Sequence, residues 1–279
     1  MELVLLLGQS NANGYAQTAQ LANALNPGYV LNPAKVHIYY KDGRANPDLT
    51  ADNGQWQDYR AGTNSDTNAS PKDQFGPELA LANRLVVATG NEVYVIKGTL
   101  NGTGLAPNAP TISPGTWTDA TAGITMNYFY KRALRDLKTA RPGVTIRFRG
   151  VLWWQGEADA AGGIPGADYA HYFKSMRGYV DSIVGADFTG YPWALIGVNY
   201  SATPEEAAVN AELCGIAAAD AKAFYFPSLG QLRNIELSPA QSAPLPVDPS
   251  DKHIGWMGQL VVGEEAAAIF LGNGSDRGC

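Results

Sequence analysis

Near its start the chain reads Leu3-Val4-Leu5-Leu6-Leu7-Gly8-Gln9-Ser10-Asn11. An unbroken apolar run that ends at a glycine is typical of a strand buried on both faces of a parallel sheet. The polar residues after it would lie at the carboxyl end of that strand, where open α/β sheets bind their ligands. Ser10 is therefore a candidate for a hydroxyl held above the sheet, although a serine here is also a common helix N-cap.

The same alternation of apolar strands and amphipathic helices continues along the chain. Four more strands are predicted at Val36–Tyr40, Val93–Ile96, Val144–Trp154 and Trp193–Val198. Helices are predicted at Pro77–Ala88, Met126–Ala140, Tyr169–Val184, Pro204–Ala223 and Gly258–Leu271, and a shorter one from Ser10 towards Leu25. Segments 41–75 and 98–122 are predicted as long loops. Strands that alternate with helices indicate a parallel sheet of about five strands with helices on both faces, in one domain over residues 1–279.

Composition narrows the class of protein. The chain has 279 residues, of which 45% are hydrophobic, and a net charge of -6 without a basic run. A nucleic-acid partner is not expected, because such proteins carry clustered Lys and Arg. No apolar run reaches the roughly 18 residues of a membrane span, and no basic leader precedes Leu3, so neither a membrane partner nor an export signal is expected. The chain could belong in the cytoplasm or in a secreted or virion assembly, and its oligomeric state stays open.

Cysteine and histidine usage does not indicate a metal site. The two cysteines, Cys214 and Cys279, are predicted as a buried thiol and a terminal thiol rather than a disulfide, and no Cys/His cluster has metal-ligand spacing. Of the three histidines, His37 falls within a predicted strand and His171 within a predicted helix. His253 instead lies in a loop with acids nearby, which is the setting of a general base.

Polar motifs follow two further predicted strands. The third strand is followed by Asn101-Gly102-Thr103, whose glycine would allow backbone amides to approach a ligand closely. The fourth ends in Trp153-Trp154-Gln155-Gly156-Glu157-Ala158-Asp159. From the residues alone, Gln155 could donate to an oxyanion and Glu157 could orient a histidine, or the segment could simply cap the next helix.

Taken together, these motifs resemble those of a known family. Gly-Gln-Ser-Asn at 8–11, Phe-Gly-Pro-Glu at 75–78, Gln-Gly-Glu-Ala-Asp at 155–159 and Asp-Lys-His at 251–253 resemble the sialate O-acetylesterase and carbohydrate esterase family 6 (acetyl xylan esterase) branch of the SGNH hydrolases. The resemblance runs from residue 3 to about residue 270. It implies a flavodoxin-like, three-layer α/β/α sandwich that needs neither metal nor cofactor.

The resemblance also implies roles for individual residues. Ser10 would attack an acetyl carbonyl and His253 would carry the proton. The oxyanion would be held by the backbone N–H of Ser10, a glycine N–H and the side chain of Gln155. The glycine block usually reads Gly-Gly-Thr in this family, so Gly102 is preferred here and Gly98 stays open.

The acid that supports His253 has several candidates. In the family it stands three residues before the histidine, where this chain has Ser250. Asp251 is the first candidate and Glu157 the second, and Asp248 or a backbone carbonyl also remains open.

The predicted substrate is an acetylated carbohydrate. Gln9 replaces the acid of the lipase-type Gly-Asp-Ser signature, which favours a sugar esterase. Gln9, Asn11 and Trp154 are predicted to bind substrate, and the rings of Tyr15, Trp117, Trp153 and Trp154 to suit stacking on sugars. Acetylated xylan or a related polysaccharide is the first choice and O-acetyl sialic acid the second. A non-catalytic carbohydrate-binding module and a lipase or thioesterase are the alternatives.

Overall fold

The computed structural model describes residues 1–21, 33–40, 54–62, 74–110, 116–117, 123, 125–198, 203–227 and 253–274. The strands in these ranges are β1 (Glu2–Gly8), β2 (Ala16–Gln17), β3 (Val36–Tyr40), β4 (Gln55–Asp58), β5 (Gln74–Phe75), β6 (Val93–Thr99), β7 (Arg147–Trp154), β8 (Trp193–Ile196) and β9 (Ala223–Phe226). The helices are α1 (Ser10–Asn13), α2 (Thr18–Leu21), α3 (Glu78–Thr89), α4 (Lys131–Ala140), α5 (Glu157–Ala161), α6 (Gly166–Val184), α7 (Pro204–Ala219) and α8 (Trp256–Phe270). A 3-10 turn, Pro33–Lys35, precedes β3, and a π-helical turn, Thr125–Tyr130, leads into α4.

Seven of the described strands form one sheet in the order β4-β3-β6-β1-β7-β8-β9. Neighbours are parallel except β3 and β4, which are antiparallel. β1 is central, and Leu5 lies opposite Ile96 of β6 and Val151 of β7. The chain leaves β1 towards one edge of the sheet and leaves β7 towards the other. The carboxyl ends of β1 and β7 therefore form the switch point at which such sheets place their sites.

Helices cover both faces of the sheet, and alternate side chains of β1 pack against the helices of one face or the other. Leu3, Leu5 and Leu7 pack in one core with apolar residues of α4, α6 and α7. Val4 and Leu6 point the other way and pack with residues of α3 and α8. Because successive side chains of a strand alternate in direction, an all-apolar β1 requires two covered faces. The predicted three-layer α/β architecture is confirmed.

The five predicted strands are confirmed, and the sheet has two more. β4 lies inside the segment predicted as a loop, and it pairs with β3 at the edge of the sheet. β9 begins at the last residue of the predicted helix 204–223: α7 ends at Ala219, Asp220 is extended, and Ala223 already pairs with Trp193 of β8. Pairing with β3 outweighs the polar composition of β4, whereas the three aromatic residues of β9 themselves favour a strand.

The helix predicted from Ser10 towards Leu25 is much shorter than expected. α1 ends at Asn13 because Gly14 has a φ of 91°. A Cβ on Gly14 would lie 2.2 Å from the Cα of Gly76, so only glycine allows this close approach. The short α1 is thereby fixed against the segment that enters α3.

Cys214 corrects a second prediction. Its side chain, in α7, is disulfide-bonded rather than a free thiol. Sequence separation does not reveal which cysteines meet in space, and the other cysteine of the chain, Cys279, lies outside the described residues. Among the helices that the structure describes, none is both long and apolar enough to span a membrane.

Candidate active site

Ser10 is the first residue of α1, directly above the end of β1. The turn that leads to it depends on Gly8, whose φ is 141° and whose Cβ would lie 2.0 Å from the carbonyl oxygen of Trp154. The next residue, Gln9, donates its backbone N–H to that same oxygen at 3.1 Å. Ser10 is 7% exposed. The backbone N–H groups in the first turn of a helix have no acceptor within that helix, so Ser10 could offer its N–H to an oxyanion.

Asn11 joins three segments that are far apart in the sequence. Its side-chain amide donates to Oε1 of Glu157 at 2.6 Å, and its Oδ1 accepts from the backbone N–H of Ile254 at 3.0 Å. Gln259 of α8 donates to the Asn11 carbonyl at 3.2 Å. Asn11 is fully buried, so these bonds are shielded from water. The structure thus brings the Ser10 turn, the Glu157 segment and the His253 segment together.

His253 lies against Tyr15 in this cluster. The two rings stack with their centroids 3.7 Å apart and their planes 3° from parallel. The Tyr15 hydroxyl accepts a hydrogen bond from the side-chain amide of Asn101, in the turn after β6. His37 and His171 lie in β3 and α6, as predicted.

Of the acids predicted to support His253, only Glu157 lies within the described residues. Asp248 and Asp251 lie outside them, so their roles stay predictions. Glu157 is 3% exposed, and this burial raises the pKa of its carboxyl to about 7. Its Oε1 accepts from Asn11, whereas its Oε2 is buried and has no hydrogen-bond partner in the described part of the chain.

Gln155 and Gln9 bond to each other within the protein. The side-chain nitrogen of Gln155 lies 3.2 Å from Oε1 of Gln9, 3.1 Å from the carbonyl of Thr103 and 2.6 Å from Oδ2 of Asp159. Both glutamines are buried. The amide of Gln155 must release one of these acceptors before it can donate to an oxyanion, and that role stays a prediction.

Asp159 is a site residue to which the sequence assigned no role. Its carboxylate accepts from the backbone N–H groups of Leu105 and Ala106 at 2.9 and 2.8 Å, and from Gln155. Burial raises the pKa of Asp159 above its ordinary value. The carboxylate therefore ties the loop after β6 to the end of β7. Its position in the same motif as Gln155 and Glu157 was the available signal.

The two candidate oxyanion glycines differ in their surroundings. Gly98 lies inside β6, opposite Leu7 of β1, so its backbone belongs to the sheet. Gly102 lies in the turn that follows β6 and has a φ of 63°. The position of Gly102 in a turn suits a backbone N–H that meets a ligand better than the position of Gly98 in a strand.

Three tryptophans near the site are core residues. Trp117, Trp153 and Trp154 are each 0% exposed. The indole N–H of Trp117 donates to the Thr103 hydroxyl at 3.0 Å, and its ring packs edge-on against Trp153 at 5.1 Å. The prediction that these rings stack on a sugar is not supported, because no ring face reaches the surface. Side chains at a strand end can point into either layer, and here they point inward.

A second polar cluster fixes the other end of α1. Lys97 of β6 is fully buried, and its ammonium donates to the carbonyl of Asn13 at 2.6 Å and to Oε2 of Glu78 at 2.9 Å. The other oxygen of Glu78 accepts from the Tyr59 hydroxyl and the Gly76 N–H, both at 3.0 Å. In the sequence, Lys97 only follows the predicted strand Val93–Ile96 and Glu78 only ends the Phe-Gly-Pro-Glu motif, so neither residue indicated an ion pair.

The acidic side chains that the structure describes lack the grouping of a metal site. Within the ranges that the structure describes, no group of three or more His, Cys, Asp or Glu side chains is arranged to hold a metal ion.

A three-layer fold with a serine, an amide and a histidine segment gathered at its switch point has the organisation of an SGNH-type hydrolase. A profile of the family described as "Carbohydrate esterase, sialic acid-specific acetylesterase" matches residues 1–190. The chain belongs to this family. The resemblance to its sialate acetylesterase members is thereby confirmed, whereas the carbohydrate esterase family 6 branch stays a prediction. A search of curated protein sequences gave no match.

Three solved structures have a similar fold. A protein from Arabidopsis thaliana has a TM-score of 0.60 and 15% identity, over 98% of this chain and 99% of that one. NanS has a TM-score of 0.62 and 14% identity, over 97% and 96%. A carbohydrate acetylesterase from Xanthomonas citri has a TM-score of 0.55 and 17% identity, over 96% of this chain but 55% of that one. At these identities the similarity establishes the fold alone.

Proposed function

We propose that this protein is a carbohydrate O-acetylesterase with Ser10 as its nucleophile and His253 as its general base. One observation carries the proposal. Asn11, the neighbour of Ser10, accepts a hydrogen bond from the N–H of Ile254, the neighbour of His253. This buried bond holds the two reactive segments side by side although they stand at opposite ends of the sequence. Family membership supplies the reaction class.

The reaction would proceed through an acetyl-enzyme. The Ser10 hydroxyl attacks the acetyl carbonyl while His253 accepts its proton, and the histidine then returns that proton to the departing sugar oxygen. Water, deprotonated by the same histidine, releases acetate and regenerates Ser10. The backbone N–H groups of Ser10 and Gly102 and the Gln155 amide would hold the oxyanion. Removing one such donor typically raises the barrier by about 3–4 kcal/mol.

Glu157 supports the site through Asn11 in this proposal. Its carboxyl hydrogen-bonds the Asn11 amide at 2.6 Å, and the other end of that amide meets the His253 segment. Glu157 therefore orients the two reactive segments. Asp251 is left as the proposed acid in direct contact with the imidazole.

The substrate class proposed here is an O-acetylated sugar. The description of the family names a sialic acid-specific acetylesterase, so O-acetyl sialic acid is the substrate to test first. Acetylated xylan comes second. The buried positions of Trp117, Trp153 and Trp154 leave them without the exposed ring faces that were predicted to stack on sugars.

Acetate release from O-acetyl sialic acid, acetylated xylan and p-nitrophenyl acetate tests the proposal. We expect turnover by the wild-type chain and a loss of at least about 1,000-fold in kcat for Ser10→Ala. Ser182→Ala is the matched control, because this exposed serine of α6 donates its hydroxyl to the nearby carbonyl of Tyr179 at 2.7 Å. Unchanged turnover by Ser10→Ala would reject Ser10 as the nucleophile. Sugar binding by calorimetry without acetate release from any substrate would indicate a binding module instead.

A further inference from the structure

Tyr15 covers one face of the imidazole of His253. The rings lie parallel within 3° at a centroid separation of 3.7 Å, which is direct contact over the ring faces. We propose that Tyr15 is a positioning residue that holds the His253 ring in its working plane and stabilises its protonated form. This inference rests on the proposed function, in which His253 is the base.

The backbone around Tyr15 is fixed on both sides. Gly14, just before it, is packed so closely against Gly76 that no side chain would fit. Ala16, just after it, pairs with Phe75 in the small sheet of β2 and β5. A ring attached to so constrained a backbone has few positions available, so it can serve as a fixed surface for a neighbouring ring.

The far end of the ring is fixed as well. The Tyr15 hydroxyl accepts from the side-chain amide of Asn101, one residue before Gly102 in the turn after β6. Tyr15 therefore joins two parts of the proposed machinery, the base and the turn that would supply an oxyanion donor. A shift of the ring would disturb both.

The stack on Tyr15 stabilises the imidazole of His253 most strongly once the imidazole has accepted a proton. The face of an aromatic ring is electron-rich and attracts a cation that lies over it. His253 becomes cationic only after it has accepted the proton of Ser10. An interaction that strengthens as the transition state forms raises kcat rather than substrate binding.

This role differs from that of a sugar platform, which the sequence also suggested for Tyr15. One face of the ring is already occupied by His253, so a sugar could meet only the other face. A positioning role predicts an effect on any acetyl ester, including one without a sugar. A platform predicts an effect on KM for sugar esters alone.

The experiment compares Tyr15→Leu, Tyr15→Phe and the wild type on p-nitrophenyl acetate and on an O-acetylated sugar. Leucine keeps apolar cover over the imidazole but has no aromatic face, and phenylalanine keeps the face but not the hydroxyl. We expect Tyr15→Leu to lower kcat about 3- to 30-fold on both esters with little change in KM, and Tyr15→Phe to stay within about 3-fold of the wild type. Tyr179→Leu, at an exposed tyrosine of α6, is the control.

Each outcome decides a specific point. Equal kcat for Tyr15→Leu and the wild type overturns the inference, and so does a change confined to KM on the sugar ester. A wild type inactive on both esters rejects the proposed function itself. If Tyr15→Leu folds poorly, Tyr15→Phe decides instead. Because phenylalanine keeps the ring face over His253, a fall in kcat of more than about 10-fold on both esters would mean that the hydroxyl and not the stack is what matters, and it would overturn the inference.

Discussion

Two buried glutamates flank the short helix α1, and they are stabilised in different ways. Glu78, at the carboxyl end of α1, is 0% exposed and meets the ammonium of Lys97 at 2.9 Å, with a hydroxyl and a backbone N–H on its other oxygen. Glu157, at the amino end, is 3% exposed and bonds the neutral amide of Asn11. Among the described residues no cation pairs with it.

The difference separates a carboxylate that is ion-paired from a carboxyl that is not. A buried carboxylate that meets a cation and has its other hydrogen bonds satisfied makes a rigid support. A buried carboxyl without a cation avoids the cost of desolvating its charge by retaining its proton, and burial accordingly raises the pKa of Glu157 to about 7. The carboxyl end of α1 is therefore fixed by charge. The end that carries Ser10 rests on a group that titrates near neutral pH.

Lys97→Met tests the ion pair of Lys97 and Glu78 at the carboxyl end of α1, and it has the largest expected effect. Methionine fills much of the space of the lysine stem but leaves the Glu78 carboxylate buried without its cation, which typically costs about 3–5 kcal/mol. We expect the free energy of unfolding at pH 7, measured by urea denaturation, to fall by that amount. Lys97→Met/Glu78→Gln should recover part of the loss, because no uncompensated charge remains.

Lys138→Met is the matched control for that experiment. Lys138 pairs with Asp187 at 2.6 Å, but both side chains are substantially exposed. Such surface pairs contribute at most about 1 kcal/mol. A similar loss for Lys97→Met and Lys138→Met would mean that the buried pair is not what fixes α1.

Glu157→Gln tests the amino end of α1 through the pH dependence of the free energy of unfolding. The ordinary pKa of a glutamate is 4.5, and in the folded protein that of Glu157 is about 7. Between these values the folded state binds a proton that the unfolded state has lost, so stability falls as pH rises and levels off above about pH 7. The full effect is about 3 kcal/mol at 1.36 kcal/mol per pKa unit. Glutamine keeps an acceptor for Asn11 and cannot ionise, so we expect it to remove this slope and to be the more stable form at pH 8.

Denaturation curves of wild type and Glu157→Gln from pH 4 to pH 9 provide the measurement. Asp159 also titrates with a raised pKa, but it is present in both proteins, so the difference between them isolates Glu157. Glu78→Gln should change stability in the opposite direction, because it leaves Lys97 buried without a counter-ion. Parallel pH profiles for wild type and Glu157→Gln would contradict the comparison.

The sequence predicted the sheet and the order of its motifs because both depend on local patterns. Apolar runs such as Leu3–Leu7 specify buried strands, and the carboxyl-edge rule then brings Ser10, Gln155 and Glu157 to one place. β4 was missed because it forms by pairing with β3 rather than from its own polar composition. β9 was missed although its three aromatic residues favour a strand.

Contacts that depend on side-chain direction could not be predicted in the same way. The stack of Tyr15 on His253 and the pair of Lys97 with Glu78 join residues without any periodic relation in the sequence. The burial of Trp154 depends on which layer its ring enters, and a strand end leaves that open. Such contacts follow from packing, which only the folded chain defines.

Thr99→Val has the smallest expected effect. It tests how much the Thr99 hydroxyl adds to the Lys97–Glu78 ion pair in holding the carboxyl end of α1. Thr99 is 2% exposed, and its hydroxyl donates to Oδ1 of Asn13 at 2.9 Å, beside the bond from Lys97 to the Asn13 carbonyl. Valine has nearly the same shape, so the change removes hydrogen bonding by the hydroxyl, which is worth about 1 kcal/mol per bond in the free energy of unfolding. Thr139→Val, whose exposed hydroxyl bonds the Arg135 carbonyl at 2.9 Å, should change stability by less than about 0.5 kcal/mol. A loss for Thr99→Val as large as that for Lys97→Met would mean that the hydroxyl network, and not the ion pair, holds the carboxyl end of α1.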